Sequence, residues 1–185
     1  MFMPFESHEP GAPGGPGDIP LCVPYLGGNE WDYVKECLDT NFVSSVGTFV
    51  GRFERELAAR VGCGPGVATV TGTAALHTAL VVAGVKAGDE VLVSTLTFIA
   101  PVNAIRYAGA IPVFVDAEPT YWQMDAELVE KFLECECEFR DGGLRNRTTG
   151  RRVAAIVPVH ILGHPVNIAP ISAAAHRYHI PVIED

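Results

Sequence analysis

Apolar and polar positions follow two periodicities along most of the chain, one typical of strands and one typical of helices. Short runs of apolar and β-branched residues predict strands, and stretches with an apolar residue every three or four positions predict helices. The predicted strands are residues 67–70, 89–94, 111–116, 153–160 and 180–185, and the predicted helices are 74–83, 99–107, 125–133 and 171–178. This alternation indicates an α/β fold with a largely parallel sheet and helices on both faces.

The first third of the chain has a different pattern. Residues 1–18 are rich in proline and glycine, which predicts a disordered tail, and we place the folded domain at residues 19–185. Two amphipathic helices are predicted before residue 62. In the first helix Trp31, Val34 and Leu38 fall on one side. In the second helix Phe49, Phe53 and Leu57 are predicted to face inward.

Residues 67–84 combine a predicted strand, a polar turn and a predicted helix. The turn is Thr71-Gly72-Thr73, and the helix begins at Ala74 and ends at Gly84. The start of a helix offers unpaired amide groups to an anion, and here hydroxyl groups stand beside them. The pattern predicts a phosphate-binding site, although an ordinary N-capped helix explains the same residues equally well. It matches neither the Walker A motif nor the Rossmann fingerprint.

The same reasoning places a ligand site at one edge of the sheet. Open parallel sheets bind ligands beyond the carboxyl ends of their strands. The polar and aromatic residues that follow predicted strands are Thr71-Gly72-Thr73, Thr97-Phe98, Asp116, His160 and Asp185. We therefore expect these side chains to surround the ligand.

One segment interrupts the alternation of strands and helices. Residues 137–152 contain the turn signals Asp141-Gly142-Gly143 and Thr149-Gly150, which predict a β-hairpin insertion. Its arginines are Arg140, Arg145, Arg147, Arg151 and Arg152. A solvated hairpin face is the favoured interpretation of this charge, and contact with a phosphate is the alternative.

Composition narrows the classes of function. The chain has 185 residues and a net charge of −9, which argues against a general nucleic-acid-binding protein, and no apolar run is long enough to span a membrane. The five cysteines are irregularly spaced, so neither a metal site nor a disulfide framework is predicted. Cys135 and Cys137 would share one face of a strand. Reduced thiols and an N-terminus without signal-peptide character favour the cytoplasm.

Several motifs taken together resemble the DegT/StrS family of sugar aminotransferases, which are pyridoxal-phosphate enzymes of fold type I. The resemblance extends over residues 19–185. Its motifs are Gly-Thr-Ala-Ala-Leu-His at 72–77, Gly-Asp-Glu-Val at 88–91, Thr-Phe at 97–98, Asn-Ala-Ile at 103–105, Gly-Ala-Ile-Pro-Val-Phe-Val-Asp at 109–116, Pro-Val-His at 158–160 and Ile-Pro-Val-Ile-Glu-Asp at 180–185. Residues 27–31, residues 43–47 and the hairpin resemble the LegC-like branch, which acts on nucleotide-linked 4-keto-6-deoxy amino sugars.

The resemblance implies the large domain of a fold type I aminotransferase and a set of residues that bind pyridoxal 5'-phosphate. The implied set is Gly72, Thr73, Ala74, Phe98, His160 and Asp185. The first three match residues that hold the phosphate. Phe98 matches the aromatic residue that stacks on the pyridine ring, with a core phenylalanine as the alternative. Asp185 matches the carboxylate that keeps the ring nitrogen protonated, which makes the ring an electron sink.

The implied role of His160 and the implied partners are less specific. His160 is placed near the pyridine ring, with a purely structural histidine as the alternative. The family acts on a nucleotide-linked keto sugar, with glutamate as the expected amino donor, and the expected intact enzyme is a cytoplasmic homodimer that supplies cell-surface polysaccharide synthesis. Neither nucleic acid nor a membrane is an expected partner.

The lysine that bonds covalently to the cofactor in this family lies downstream of the matching aspartate. The lysines of this chain are Lys35, Lys86 and Lys131, and none of them matches that position. The chain is therefore expected to be the truncated N-terminal part of the enzyme, without a catalytic residue of its own and inactive alone. The alternatives are a dehydratase relative on the same fold, in which a histidine replaces the lysine, and a non-catalytic remnant or binding module.

Overall fold

The computed structural model describes residues 24–44 and 46–185. The predicted tail at 1–18, residues 19–23 and Ser45 therefore lie outside the described residues. The chain divides into two compact units, one that ends at Gly66 and one that runs from Val67 to Asp185. In the part of the chain that the structure describes, no helix is both long and apolar enough to cross a membrane.

The first unit contains the two predicted helices, α1 (Glu30–Asp39) and α2 (Thr48–Val61). The rings of Tyr33 and Phe49 contact each other, with centroids 5.0 Å apart. The prediction of inward-facing apolar residues is wrong here, because neither helix contains a buried residue and Phe53 is 55% exposed. The periodicity identifies the apolar side of a helix, but two short helices offer each other too little surface to cover both apolar sides.

The second unit is built on a three-stranded parallel sheet, which confirms the predicted α/β fold. Its strands are β1 (Glu90–Ser94), β2 (Ile111–Val115) and β5 (Val153–Val157), in the spatial order β2-β1-β5. Every residue of β1 and of β5 is buried. Strands covered on both faces read as continuous apolar runs, which explains why their sequences show little alternation.

Helices cover both faces of this sheet. One face packs against α3 (Gly72–Val82) and α4 (Ile99–Tyr107), and the other packs against α5 (Ala126–Lys131) and α6 (Ile168–Arg177). Successive residues of β1 point to opposite sides, as strand geometry requires. The core of the first face includes Leu80, Val91, Val93 and Ile105, and the core of the second includes Leu92, Leu133, Ile156 and Ile171.

Two predicted strands differ from the structure. Residues 67–70 form no strand, and Val67 and Val70 are 78% and 90% exposed. Their β-branched composition favours an extended chain, but they belong to neither of the two sheets in the described residues. Residues 180–185 run alongside β5 with one isolated parallel bridge, Ile156 to Val182. The ladder does not extend on either side, because Pro181 and Pro158 have no amide hydrogen to donate.

The predicted hairpin segment contains β3 (Cys137–Arg140) and β4 (Gly143–Asn146), which pair antiparallel. Their two-residue turn has positive φ at Asp141 (53°) and Gly142 (77°), as a type I′ turn requires. A π-helical turn at Phe132–Glu136 precedes β3. Cys135 lies in that turn and is exposed, whereas Cys137 begins β3 and is buried, so the two cysteines do not lie in one strand.

The hairpin is attached at the amino end of the sheet. Asn146 Nδ2 and Thr149 Oγ1 donate hydrogen bonds to the buried carboxylate of Glu90, at 2.9 and 2.7 Å. Glu90 is the first residue of β1. The hairpin therefore lies at the opposite end of the strands from the predicted ligand site.

Candidate cofactor site

Hydrogen bonds tie the carboxyl ends of the three parallel strands together. The backbone amide and the hydroxyl of Thr95 both donate to the Val115 carbonyl, at 2.9 and 2.8 Å. The Val159 amide donates to Ser94 Oγ at 3.1 Å. The loops that carry the predicted site residues therefore leave the sheet from points that are fixed relative to one another.

The N-terminus of α3 has the geometry of a capped helix start. Thr71 is the N-cap residue in an extended conformation, and its Oγ1 accepts a hydrogen bond from the Ala74 amide at 3.2 Å. The amides of Gly72 and Thr73 donate no hydrogen bond within the described residues. A Cβ placed on Gly72 would meet no atom within 4 Å. Two amides and the positive end of the helix dipole therefore face open space.

This geometry separates the three residues predicted to hold phosphate. The Gly72 and Thr73 amides are available to an anion, whereas the cap already uses the Ala74 amide. The sequence cannot distinguish these amides, since the same threonine hydroxyl that suits an anion site also suits a helix cap.

Phe98 lies at the start of α4 with its side chain directed to solvent. It is the N-cap residue of that helix and is 78% exposed, so the alternative of a core phenylalanine is wrong. An exposed ring is free to stack on a planar ligand. The neighbouring hydroxyl of Thr97 is buried and has no hydrogen-bond partner within the described residues. Most buried hydroxyls form a hydrogen bond, so the Thr97 hydroxyl, next to Phe98 in the sequence, lacks among the described residues a partner that such groups usually have.

Asp116 has a local structural role. Its Oδ1 accepts a hydrogen bond from the Ala117 amide at 2.8 Å, and its carbonyl accepts one from the Asp125 amide at 3.0 Å. These bonds close the loop between β2 and α5. The placement of Asp116 after β2 is as predicted, but its carboxylate stabilises the loop in this structure.

Asp185 and His160 lie side by side at the end of β5. The His160 amide donates to the Asp185 carbonyl at 2.9 Å, and the Asp185 amide donates to the Pro158 carbonyl at 3.0 Å. Partial burial raises the pKa of the Asp185 carboxyl above its ordinary value, and a protonated His160 would act in the opposite direction. No hydrogen bond to the Asp185 carboxylate is found in the described part of the chain. A cationic group placed there would gain a charge partner.

Both ring nitrogens of His160 have partners. Nδ1 accepts a hydrogen bond from the Val166 amide at 3.0 Å, and Nε2 lies 3.1 Å from Glu184 Oε2. Sequence reasoning missed Glu184. The available signal was its position next to Asp185, but its contact with His160 depends on how the last segment lies along β5.

Four arginines of the hairpin segment form ion pairs away from this edge of the sheet. Arg152 binds Asp89, Arg147 binds Glu138, and Arg140 and Arg145 both contact Asp141. These pairs support the interpretation of a solvated hairpin face. Among the described residues, no cluster of three or more histidine, cysteine or acidic side chains has the geometry to hold a metal ion.

The three lysines lie in three different parts of the chain. Lys35 forms an ion pair with Asp39 one turn further along α1, and Lys131 is in the last turn of α5. Lys86 belongs to the turn before β1, at the amino end of the sheet, where its amide donates to Asp89 Oδ2 at 2.7 Å.

The family match and similar relatives agree with the resemblance seen in the sequence motifs. Residues 24–185 match the DegT/DnrJ/EryC1/StrS aminotransferase family. Over 167 residues the chain is 41% identical to a GDP-perosamine synthase of Caulobacter vibrioides and 40% identical to one of Escherichia coli O157:H7. These matches cover 90% of this chain but only 41% and 42% of the relatives.

The fold is also found in solved structures. The chain superimposes on an aminotransferase from Psychrobacter cryohalolentis with a TM-score of 0.73 and 31% identity. The superposition covers 88% of this chain and 37% of that one. The chain thus spans about two fifths of the length of the proteins it resembles.

Proposed function

The chain belongs to the DegT/DnrJ/EryC1/StrS aminotransferase family, and from this premise we propose that it binds pyridoxal 5'-phosphate at the carboxyl edge of its sheet. One observation carries the proposal. The Asp185 side chain is exposed, its carboxylate accepts no hydrogen bond within the described residues, and it follows a strand end on the same sheet as the exposed ring of Phe98. A protonated pyridine nitrogen would give that carboxylate its missing partner.

The other groups at this edge suit the remaining parts of the cofactor. The Gly72 and Thr73 amides at the start of α3 would bind the phosphate, as helix N-termini bind anions in general. The Ala74 amide would join them once the Thr71 hydroxyl rotates away. Phe98 would stack on the pyridine ring. When bound, this cofactor carries the amino group and withdraws electrons from the reacting carbon.

We infer the substrates from the relatives' names and from the motifs of the chain. The amino acceptor would be a nucleotide-linked 4-keto-6-deoxy sugar, the donor would be glutamate, and the enzyme would be a cytoplasmic homodimer serving cell-surface polysaccharide synthesis. Assignment to the LegC-like branch belongs to the same proposal. So does a domain at residues 19–185 preceded by a tail at 1–18.

These 185 residues would bind the cofactor without a covalent bond. A lysine amine must reach the cofactor to attach it, and Lys35, Lys86 and Lys131 do not match the position of the family's lysine. Turnover therefore requires a lysine beyond this sequence. In the alternative dehydratase a histidine would take the place of that lysine.

The test is titration of the chain with pyridoxal phosphate, followed by absorbance and by borohydride treatment. We expect saturable binding, and borohydride should not make the Asp185-dependent part of it permanent. Asp185→Asn should weaken binding by roughly 10- to 100-fold, the value of one hydrogen bond to a charged group. Asp141→Asn, in the exposed hairpin turn, is the matched control and should bind normally. Equal affinity of the Asp185→Asn variant and the unchanged chain would contradict the proposal.

A second experiment separates the possible reactions. The chain would be joined to the downstream part of a family member that contains the lysine, and supplied with a nucleotide-linked keto sugar and glutamate. Formation of an amino sugar supports the aminotransferase. Loss of a sugar hydroxyl instead identifies the dehydratase, and binding of the sugar nucleotide without any need for cofactor identifies a binding module.

A further inference from the structure

His160 is held by hydrogen bonds on both sides of its ring. The Val166 amide donates to Nδ1 at 3.0 Å, and an amide can only donate, so Nδ1 must carry a lone pair. The proton of the neutral ring therefore lies on Nε2, where Glu184 Oε2 accepts it at 3.1 Å. The arrangement selects one tautomer of the histidine.

The groups that hold this ring are themselves anchored. Val166 is buried in the core beneath α6, which fixes the position of its amide. Glu184 lies between Ile183 and Asp185, whose amides donate to the carbonyls of Ile156 and Pro158 at 2.9 and 3.0 Å. The imidazole thus bridges the loop that follows β5 and the segment that carries Asp185.

We propose that Glu184 is a positioning residue of the Asp185 site, acting by holding His160 as the Nε2–H tautomer so that neither ring nitrogen is offered to Asp185 or to a bound cofactor. The part that concerns the cofactor rests on the proposed function. In this arrangement His160 shapes the wall of the site, and the Asp185 carboxylate keeps its hydrogen-bonding capacity for the ring nitrogen of the ligand. A histidine that bonded Asp185 directly would have to give up Glu184 or Val166.

The experiment that tests the tautomer does not require activity. Long-range proton–nitrogen NMR spectra of the labelled chain, recorded at a pH where the rings are neutral, distinguish a protonated from an unprotonated ring nitrogen. We expect Nε2 of His160 to be protonated and Nδ1 unprotonated. A protonated Nδ1 in the unchanged chain would overturn the proposal, whether or not the cofactor binds.

Variants of Glu184 then separate positioning from simple structural support. Glu184→Ala should speed solvent exchange of the Nε2 proton and weaken pyridoxal phosphate binding about three- to tenfold, because the lost hydrogen bond acts on the ligand only through the position of His160. Glu184→Gln keeps an acceptor and should restore both. Glu130→Ala removes a comparably exposed glutamate that binds Arg177 on α6 and should change neither. An unchanged His160 spectrum in Glu184→Ala would refute the role.

The ligand titration distinguishes this inference from the proposed function. Adding pyridoxal phosphate should leave the tautomer of His160 unchanged while other resonances at the carboxyl edge shift. Protonation of Nδ1 on binding would show that the histidine contacts the ligand and would overturn the inference. If the unchanged chain bound no cofactor, the proposed function would fail, while the tautomer and the Glu184 exchange measurements would still decide the positioning role.

Discussion

The ion pair between Asp89 and Arg152 should be the strongest single polar contribution to the stability of the second unit. Arg152 Nε and Nη2 lie 3.1 and 2.5 Å from the two carboxylate oxygens of Asp89, and Nη2 also donates to the Gly84 carbonyl at 2.7 Å. The Lys86 amide donates to the same carboxylate at 2.7 Å. One side chain thus fastens the turn before β1 to the residue that precedes β5.

The expected cost of removing this carboxylate follows from its contacts. Asp89→Ala deletes two hydrogen bonds to a cation and one to an amide, and it leaves Arg152 with only the Gly84 carbonyl. Bonds to charged groups contribute about 1.5–3 kcal/mol each, but the Arg152 side chain is 36% exposed and that of Asp89 is 11% exposed, so solvent screens part of the gain. We expect a loss of about 2–4 kcal/mol in the free energy of unfolding. The hydrogen bond to Asp89 is the largest cause of the raised pKa of Arg152, and this direction agrees with a stabilising ion pair.

A double-mutant cycle measured by urea unfolding tests this magnitude. The variants are Asp89→Ala and Arg152→Met, the latter chosen because methionine keeps most of the apolar stem. The control cycle uses Glu138 and Arg147, whose atoms lie 2.7 Å apart across the hairpin but whose side chains are 38% and 52% exposed. We expect a coupling of about 1.5–3 kcal/mol for the first pair and below about 1 kcal/mol for the second. Equal couplings would refute the argument from burial.

Two further predictions concern the helix cap and the buried thiol. Thr71→Ala should cost about 1 kcal/mol of unfolding free energy, because it removes the acceptor of the Ala74 amide, and Thr71→Ser should restore it, as urea unfolding can measure. Burial, with the charges of Glu90 and Glu136, raises the pKa of Cys137 from 9.0 to about 12. Only the unfolded state then loses this proton above pH 9, so stability should fall towards pH 12 by up to about 1.4 kcal/mol per pH unit, and Cys137→Ala should remove that part of the slope. A thiol reagent should modify exposed Cys63 and Cys135 in the native chain and Cys137 only after unfolding.

Much of the fold could be predicted because local patterns and global packing agree. The predicted bounds of α4, residues 99–107, match the structure, since a glycine follows the helix closely and apolar residues recur at helical spacing within it. The parallel sheet follows from strands that alternate with helices. The failures share one physical cause: pairing and burial depend on neighbours. Residues 67–70 have strand composition without a paired strand, and the pattern in α1 and α2 does not show what covers their apolar sides.

In the candidate site, too, local patterns predict where residues lie but not which hydrogen bonds they form. Motifs placed Thr73, Phe98 and Asp185 beside strand ends or at a helix start, because parallel topology brings those positions to one edge. They could not show that the Thr71 hydroxyl accepts a hydrogen bond from the Ala74 amide. Nor could they show that both ring nitrogens of His160 form hydrogen bonds, one with Val166 and one with Glu184. Such choices among competing hydrogen bonds are decided by distances of a few tenths of an ångström, and a residue pattern carries no information at that scale.

The two ends of the sheet differ in how well their polar groups are satisfied. At the amino end, buried Glu90 accepts two side-chain hydrogen bonds, and Asp89 binds both Arg152 and an amide. At the carboxyl end, the buried atoms without a partner in the described residues are Thr97 Oγ1 and Gln123 Oε1, in loops that leave β1 and β2. Proteins concentrate such deficits where a ligand supplies the missing contacts, because elsewhere they only reduce stability. The amino end therefore stabilises the fold, while the carboxyl end keeps the unpaired polar atoms that the proposed cofactor site would use.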